Sequence, residues 1–154
     1  MPAVSPVTTF LFTDIEGSTR LWEQAPDAMR PALARHDAIV RDAVAAHRGT
    51  VVKSTGDGVH AAFDDPLDAV QATLALQRAL NAPEATGAIS FRVRCGLHVG
   101  HDERRDNDFY GTAVNRAARI MSTAHGGQML VSRALAEQVG SKLPEGVTLR
   151  DLGV

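Results

Sequence analysis

The stretch Phe12-Thr13-Asp14-Ile15-Glu16-Gly17-Ser18-Thr19 is the one around which this chain is organised. The residues leading into it, Val7 to Thr13, are β-branched or aromatic nearly throughout and read as a buried strand. Such a strand carries the carboxylate of Asp14 to its C-terminal tip. A glycine and two hydroxyl residues follow and open a segment able to turn helical. The first N–H groups of a helix lack intrahelical partners, and here they face the same way as the carboxylate. Together they suit a metal ion and the phosphates it carries. By itself an Asp at a strand end is more often a helix cap or a turn residue. A second Asp of the same kind, further along, changes the balance.

The totals narrow the class. One hundred and fifty-four residues suit one domain, spanning 1–154, with a core that needs no staples. With 44% apolar and 22% charged residues the composition is that of an ordered globular protein. A net charge of −2 gives no reason to expect nucleic acid or an anionic membrane as partner. The single cysteine, Cys95, excludes an internal disulfide and fits a reducing cytoplasm. No apolar run approaches the roughly 20 residues of a membrane span. Met1 to Pro6 has neither the charge nor the apolar core of a signal peptide. A cytoplasmic location without membrane insertion is expected.

Pro26 and Asp27 start a long helix, with Leu33, His36, Val40, Val44 and His47 at three- and four-residue spacing and Gly49 as its cap. On that apolar face the two histidines are expected to be structural. Thr50–Lys53 and Val59–Phe63 read as strands joined by the hairpin turn Ser54-Thr55-Gly56-Asp57-Gly58. Asp65, Pro66 and Asp68 start a helix running to about Leu80. Ile89–Val99 reads as a long strand, followed by a polar stretch from His101 to Asn107. Asp108-Phe109-Tyr110-Gly111 leads into a helix over 113–123. Met129–Val131 is a short strand, Ser132 caps a helix to about Val139, and Val147–Leu152 reads as a last strand. The fold class is α+β: a ferredoxin-like βαββαβ core with C-terminal additions and its helices on one side of the sheet.

In that order the first strand lies beside the hairpin, so Asp14 and Asp57 can converge. Two carboxylates beside a phosphate-facing loop suit Mg²⁺, which takes few protein oxygens. Asn115 and Arg119, four apart, share one helix face. Lys53 ends a hairpin strand, and Asp108 lies seven residues before Asn115. Taken singly, each of these is an ordinary surface residue. His98, His101 and Asp102 make a weak metal pattern on a strand end and read as structural or incidental. Cys95, in mid-strand, reads as buried filler.

Three segments carry a resemblance: Leu11 to Thr19, Lys53-Ser54-Thr55-Gly56-Asp57-Gly58, and Asp108 to Arg119. Their order and spacing resemble the catalytic domain of class III nucleotidyl cyclases, most closely the soluble bacterial adenylyl cyclases. The resemblance implies that Asp14 and Asp57 hold two divalent metal ions, Mg²⁺ or Mn²⁺, with the Ile15 carbonyl as a further ligand. Backbone N–H groups around Gly17, Ser18 and Thr19 would cradle the triphosphate. Lys53 and Asp108 would read the purine, Asn115 would orient the ribose, and Arg119 would contact the α-phosphate. It implies a homodimer whose active sites are shared between antiparallel domains, with Lys53 to Asp57 serving both. A Lys donor and an Asp acceptor match adenine and oppose guanine, so ATP is the expected substrate, with 3′,5′-cyclic AMP and pyrophosphate as products. A weakly active or inactive nucleotide-binding regulatory module of the same fold is the alternative, and a phosphotransfer or hydrolase domain a further one.

Two departures stand out. The family often has an aromatic residue where this chain has Ser18. Many relatives continue past the position of Leu152-Gly153-Val154 into a strand pair carrying a basic residue for the terminal phosphates, so this chain is expected to lack that pair.

Overall fold

The computed structural model describes residues 7–105 and 108–153. The segment Met1–Pro6, the end of the polar stretch at 106–107, and Val154 lie outside the described residues. The expected strand is present as β1 (Thr8–Ile15), buried along almost its whole length. It is followed by α1 (Ser18–Gln24) and α2 (Pro26–Ala46), then by the hairpin strands β2 (Thr50–Ser54) and β3 (Gly58–Phe63). Next come α3 (Pro66–Asn81), β4 (Val93–Gly100), and a small hairpin of β5 (Glu103–Arg105) with β6 (Asp108–Tyr110). The chain then forms α4 (Thr112–Thr123), β7 (Met129–Val131) and α5 (Arg133–Val139).

The main sheet has the order β2-β3-β1-β4-β7. Its first four strands are antiparallel neighbours in the ferredoxin-like arrangement, and β7 adds parallel to β4. β1 therefore lies between β3 and β4. Alternation along these strands sorts the side chains into two cores. Leu11, Ile15, Val59, Ala61, Phe63, Cys95 and Leu97 point to the face covered by α2, α3 and α5, where Met29, Val40, Val44, Leu76 and Leu135 meet them. Phe10 and Ala62 point the other way, toward Ala113 and Ala117 of α4. The helices are thus not all on one side: α2 and α3 are, as the ferredoxin order requires, but α4 covers the opposite face.

Small residues make that placement possible. A side-chain carbon added at Gly96 would lie 2.6 Å from Met121 Cα, and one at Gly100 would lie 2.6 Å from Ala113 Cβ. The helix rests directly on the backbone of β4. Burial of Ala113 and Ala117 against Phe10 leaves the opposite face of α4, with Asn115 and Arg119, exposed.

Four local expectations change. Strand β4 begins at Val93 rather than Ile89. Asp108–Tyr110, expected as a lead into a helix, pairs with 103–105 of the polar stretch. Residues 147–152 form no strand. At the end of α2 the left-handed residue is Arg48 (φ 62°), with its N–H on Ala45 O and that of Gly49 on Val44 O. This is a Schellman cap one residue earlier than expected. Gly49 is kept small by the Phe63 ring, which a Cβ there would strike.

His36 is fully buried, edge-on to Phe91 at 5.8 Å, and His47 Nδ1 bonds Ala43 O. Cys95 is buried, and burial pushes its thiol up to about 12. All three are structural, as expected.

Candidate active site

The two aspartates arrive from neighbouring strands. Asp14 is one residue from the end of β1, and its Cα partner in β3 is Gly58. Asp57 is in the β2–β3 turn, fastened to β1 by Ile15 N–H donating to Asp57 O at 2.9 Å. Its carboxylate accepts the Ser18 hydroxyl at 2.8 Å. Gly17, at φ 71°, holds the left-handed turn that lets the chain leave β1 and enter α1 at once. Ser18 is nearly buried, so its small size and its hydroxyl explain why no aromatic ring stands there. Ser18 is the first residue of α1, so the hydroxyl that holds Asp57 stands at the start of that helix.

Lys53 reaches the site through an irregularity. The β2–β3 register slips between Val51 and Lys53. Val51 packs on the main core, whereas Val52 packs on the second core and Lys53 also turns to that face. Strict alternation would have put Val52 and Lys53 on opposite faces; a bulge re-aims the side chain. Lys53 Nζ then lies 2.8 Å from Asp108 Oδ2. The hydrogen bond to Asp108 raises the Lys53 ammonium, and the same bond, with Phe109 N–H, lowers the Asp108 carboxyl.

Asp14, Lys53, Asp57, Asp108 and Asn115 line one cleft of about 480 Å³. Ile15, Gly17, Ser18 and Thr19 do not line it; the Ile15 side chain is in the main core. Arg119 is exposed on α4, one turn past Asn115, and does not line it either. Among the described residues no three His, Cys, Asp or Glu side chains gather as a cage. The oxygen set is therefore two carboxylates from adjacent strand ends with nearby backbone carbonyl groups. This suits a hard cation that keeps much of its shell for water and phosphate.

Four participants are not legible in the sequence. Arg94 faces Asp14 across β1 and β4 and donates Nη2 to Asp14 Oδ2 at 2.7 Å, with Nη1 on Ser122 O at 3.3 Å. Only its place between the buried Val93 and Cys95 hints that it faces the other way. Glu16 accepts from Gly126 N–H at 2.6 Å, tying the loop between β1 and α1 to the turn after α4. Asp102 accepts from Ala113 N–H (3.2 Å) and Val114 N–H (2.6 Å), capping α4 from outside the helix. The weak metal pattern thus resolves into a cap and a structural pair, since His98 Nδ1 bonds Ser132 Oγ at 2.7 Å. His60 is buried in the cleft wall, stacked on Phe12 at 4.2 Å.

Residues 2–148 match the family model of the adenylate and guanylate cyclase catalytic domain. The chain belongs to the class III nucleotidyl cyclases. Among curated relatives, this cyclase domain is 40% identical over 147 residues to an uncharacterized protein of Mycobacterium tuberculosis, covering 94% of this chain and 49% of that one. It is 30% identical over 188 residues to the receptor-type adenylate cyclase GRESAG 4.1 of Trypanosoma brucei brucei, covering 94% of this chain and 15% of that one. Among solved structures it superposes on an adenylate cyclase from Trypanosoma brucei in its monomeric state. The TM-score there is 0.78 at 30% identity, covering 86% of this chain and 75% of that one. The chain spans about half the length of the first of these relatives or less. Class III cyclases generally use divalent metal ions. No helix among the described residues is long and apolar enough to cross a membrane.

Proposed function

We propose that this cyclase domain converts ATP to 3′,5′-cyclic AMP and pyrophosphate, as a homodimer with two divalent ions, Mg²⁺ or Mn²⁺. The observation that carries this reading is the joining of Asp14 and Asp57 with Lys53, Asp108 and Asn115 in one cleft. Asp14, Asp57 and the Ile15 carbonyl would hold the metal ions. When bound, these ions lower the pKa of the ribose 3′-hydroxyl and neutralise the departing pyrophosphate. The N–H groups at Gly17, Ser18 and Thr19 face the phosphates. Asn115 orients the ribose. Arg119 presents a permanently charged planar donor to the α-phosphate as charge builds.

For the base, the Lys53–Asp108 pair supplies a donor and an acceptor with the signs adenine requires. The naming of the Trypanosoma relatives as adenylate cyclases supports the same choice. The exposed position of Arg119, outside the cleft lined by its own chain, supports a shared site in which it serves a second copy.

Product analysis with ATP or GTP plus Mn²⁺, run beside Asp14→Ala, tests the proposal. Cyclic AMP and pyrophosphate from the parent, lost in the variant, are expected. ATP bound but unchanged would favour the regulatory-module reading, cyclic GMP would reverse the base assignment, and AMP or inorganic phosphate would refute the cyclisation.

A further inference from the structure

The second core contains a polar group that no hydrogen bond uses. His60 is 5% exposed, and its Nε2 is buried with no hydrogen-bond partner among the described residues. A buried polar group without a partner costs free energy, and such groups persist where something else supplies the partner. The ring is surrounded by aromatic carbon: Phe12 stacks on it at 4.2 Å and 11°, Phe10 lies at 5.9 Å, and Phe109 lies edge-on at 6.5 Å. A Leu or Met would fill such a place without leaving a nitrogen unpaired.

Its position is specific. In the β2–β3 register His60 is the residue directly opposite Lys53, and both line the cleft. Phe109, the neighbour of Asp108 in β6, packs edge-on against the ring, so the ring lies close to the strand that carries Asp108. We propose that His60 is a further purine-positioning residue, whose Nε2–H donates to N7 of the base when a nucleoside triphosphate fills the cleft.

The inference rests on the reading of the cleft as a purine nucleotide site. An acceptor for the 6-amino group meets the base beside N7, because those two positions are neighbours on one edge of the ring. N7 is an acceptor in adenine and guanine alike. His60 therefore holds a purine whichever 6-substituent it carries, and leaves that distinction to Lys53 and Asp108. Burial also lowers the imidazole to about 4. At neutral pH the ring is uncharged, with one nitrogen bearing a proton and able to donate.

The test compares binding of 2′,3′-dideoxy-ATP with that of its 7-deaza analogue by calorimetry in Mg²⁺. Neither has the 3′-hydroxyl needed for cyclisation, and they differ only at position 7. The parent is expected to bind the 7-deaza analogue about 5- to 20-fold more weakly, the range of a buried hydrogen bond. His60→Phe should bind the two equally, and His60→Gln, whose amide nitrogen can take the place of Nε2, should restore part of the preference. A role in packing alone would not distinguish the analogues. Equal binding by the parent would overturn the proposal while leaving the nucleotide site intact. Preference retained in His60→Phe would assign the N7 contact to another group and overturn it too. Failure of the parent to bind either nucleotide would overturn both this inference and the reading beneath it, and a folded His60→Gln without preference counts against the donor geometry.

Discussion

Gly96→Ala tests whether the seat of α4 positions the chemistry. The added carbon would lie 2.6 Å from Met121 Cα and 2.8 Å from its Cβ, where ordinary contact begins at 3.4 Å. The obstruction is helix backbone, which no rotamer change relieves. Subtracting 2.6 Å from 3.4 Å gives at least about 0.8 Å for α4 to rise locally, since Met121 N lies closer still. Its N-terminus is held by Asp102, so the motion becomes a tilt about that end and carries Arg119, two residues before Met121, farthest among the site residues. Overpacking of this kind costs roughly 1–3 kcal/mol. For a chain of this length each kcal/mol lowers Tm by about 2–4 °C. Displacement of a catalytic group by about 1 Å can cost ~10²-fold in rate. The assay is kcat at saturating ATP and Mn²⁺ together with a thermal melt. Gly146→Ala is the control: nothing lies within 4 Å of a Cβ there, and only its φ of +82° is strained. It should lower Tm with kcat unchanged. Gly96→Ala with the parent's kcat would refute the claim that this contact sets the position of α4.

Other perturbations have equally definite signs. Asp102→Ala removes an acceptor from two N–H groups of α4 and should cost about 0.5–2 kcal/mol in urea unfolding, with Asp102→Asn recovering much of it. Arg94→Ala frees the half-buried Asp14 carboxylate from its cation, and Mn²⁺ binding to the nucleotide-free protein, followed by EPR, should tighten about 2–5-fold. His60 titrates near its ordinary 6.5 when unfolded and about 4 when folded, so the unfolded state takes up the proton first. Stability is unaffected above pH 6.5 and falls as the pH drops toward 4. By pH 4.5 the loss is about 2–3 kcal/mol, and His60→Phe should remove it from the pH dependence of denaturant midpoints.

The fold was legible wherever a pattern was local and repetitive. The run before Asp14, the spacing of Val40 and Val44, and the turn chemistry at Gly56 to Gly58 place β1, α2 and the hairpin near their observed ends. The side of the sheet taken by α4 was not legible, because it depends on Gly96 and Gly100 being small beneath Ala113 and Ala117, a complementarity between distant segments. For the site, the motifs placed five side chains in one cleft. The partners of Arg94, Glu16 and Asp102 were not legible, although Asp102 was rightly read as structural, because each acts on a group 80, 110 or 11–12 residues away, without a spacing to mark it. Residues 147–152 show the opposite error: a strand-like sequence that forms no strand, although it lies across a cavity from the edge strand β7.

The slip between Val51 and Lys53 leaves Val52 as the one extra residue of β2. Deleting Val52 would restore simple alternation, and β2 could still pair with β3 along its whole run. Lys53, then following Val51 directly, would stay opposite His60 and keep its ammonium on the Asp108 side. What would go is the Val52 contact with the second core. Ironing out the bulge while keeping Val52 would do the reverse, turning Lys53 toward α2 and α3. This edge hairpin can therefore shorten by one residue and lose packing alone, so the bulge is spare length, and the aim of Lys53 survives its removal.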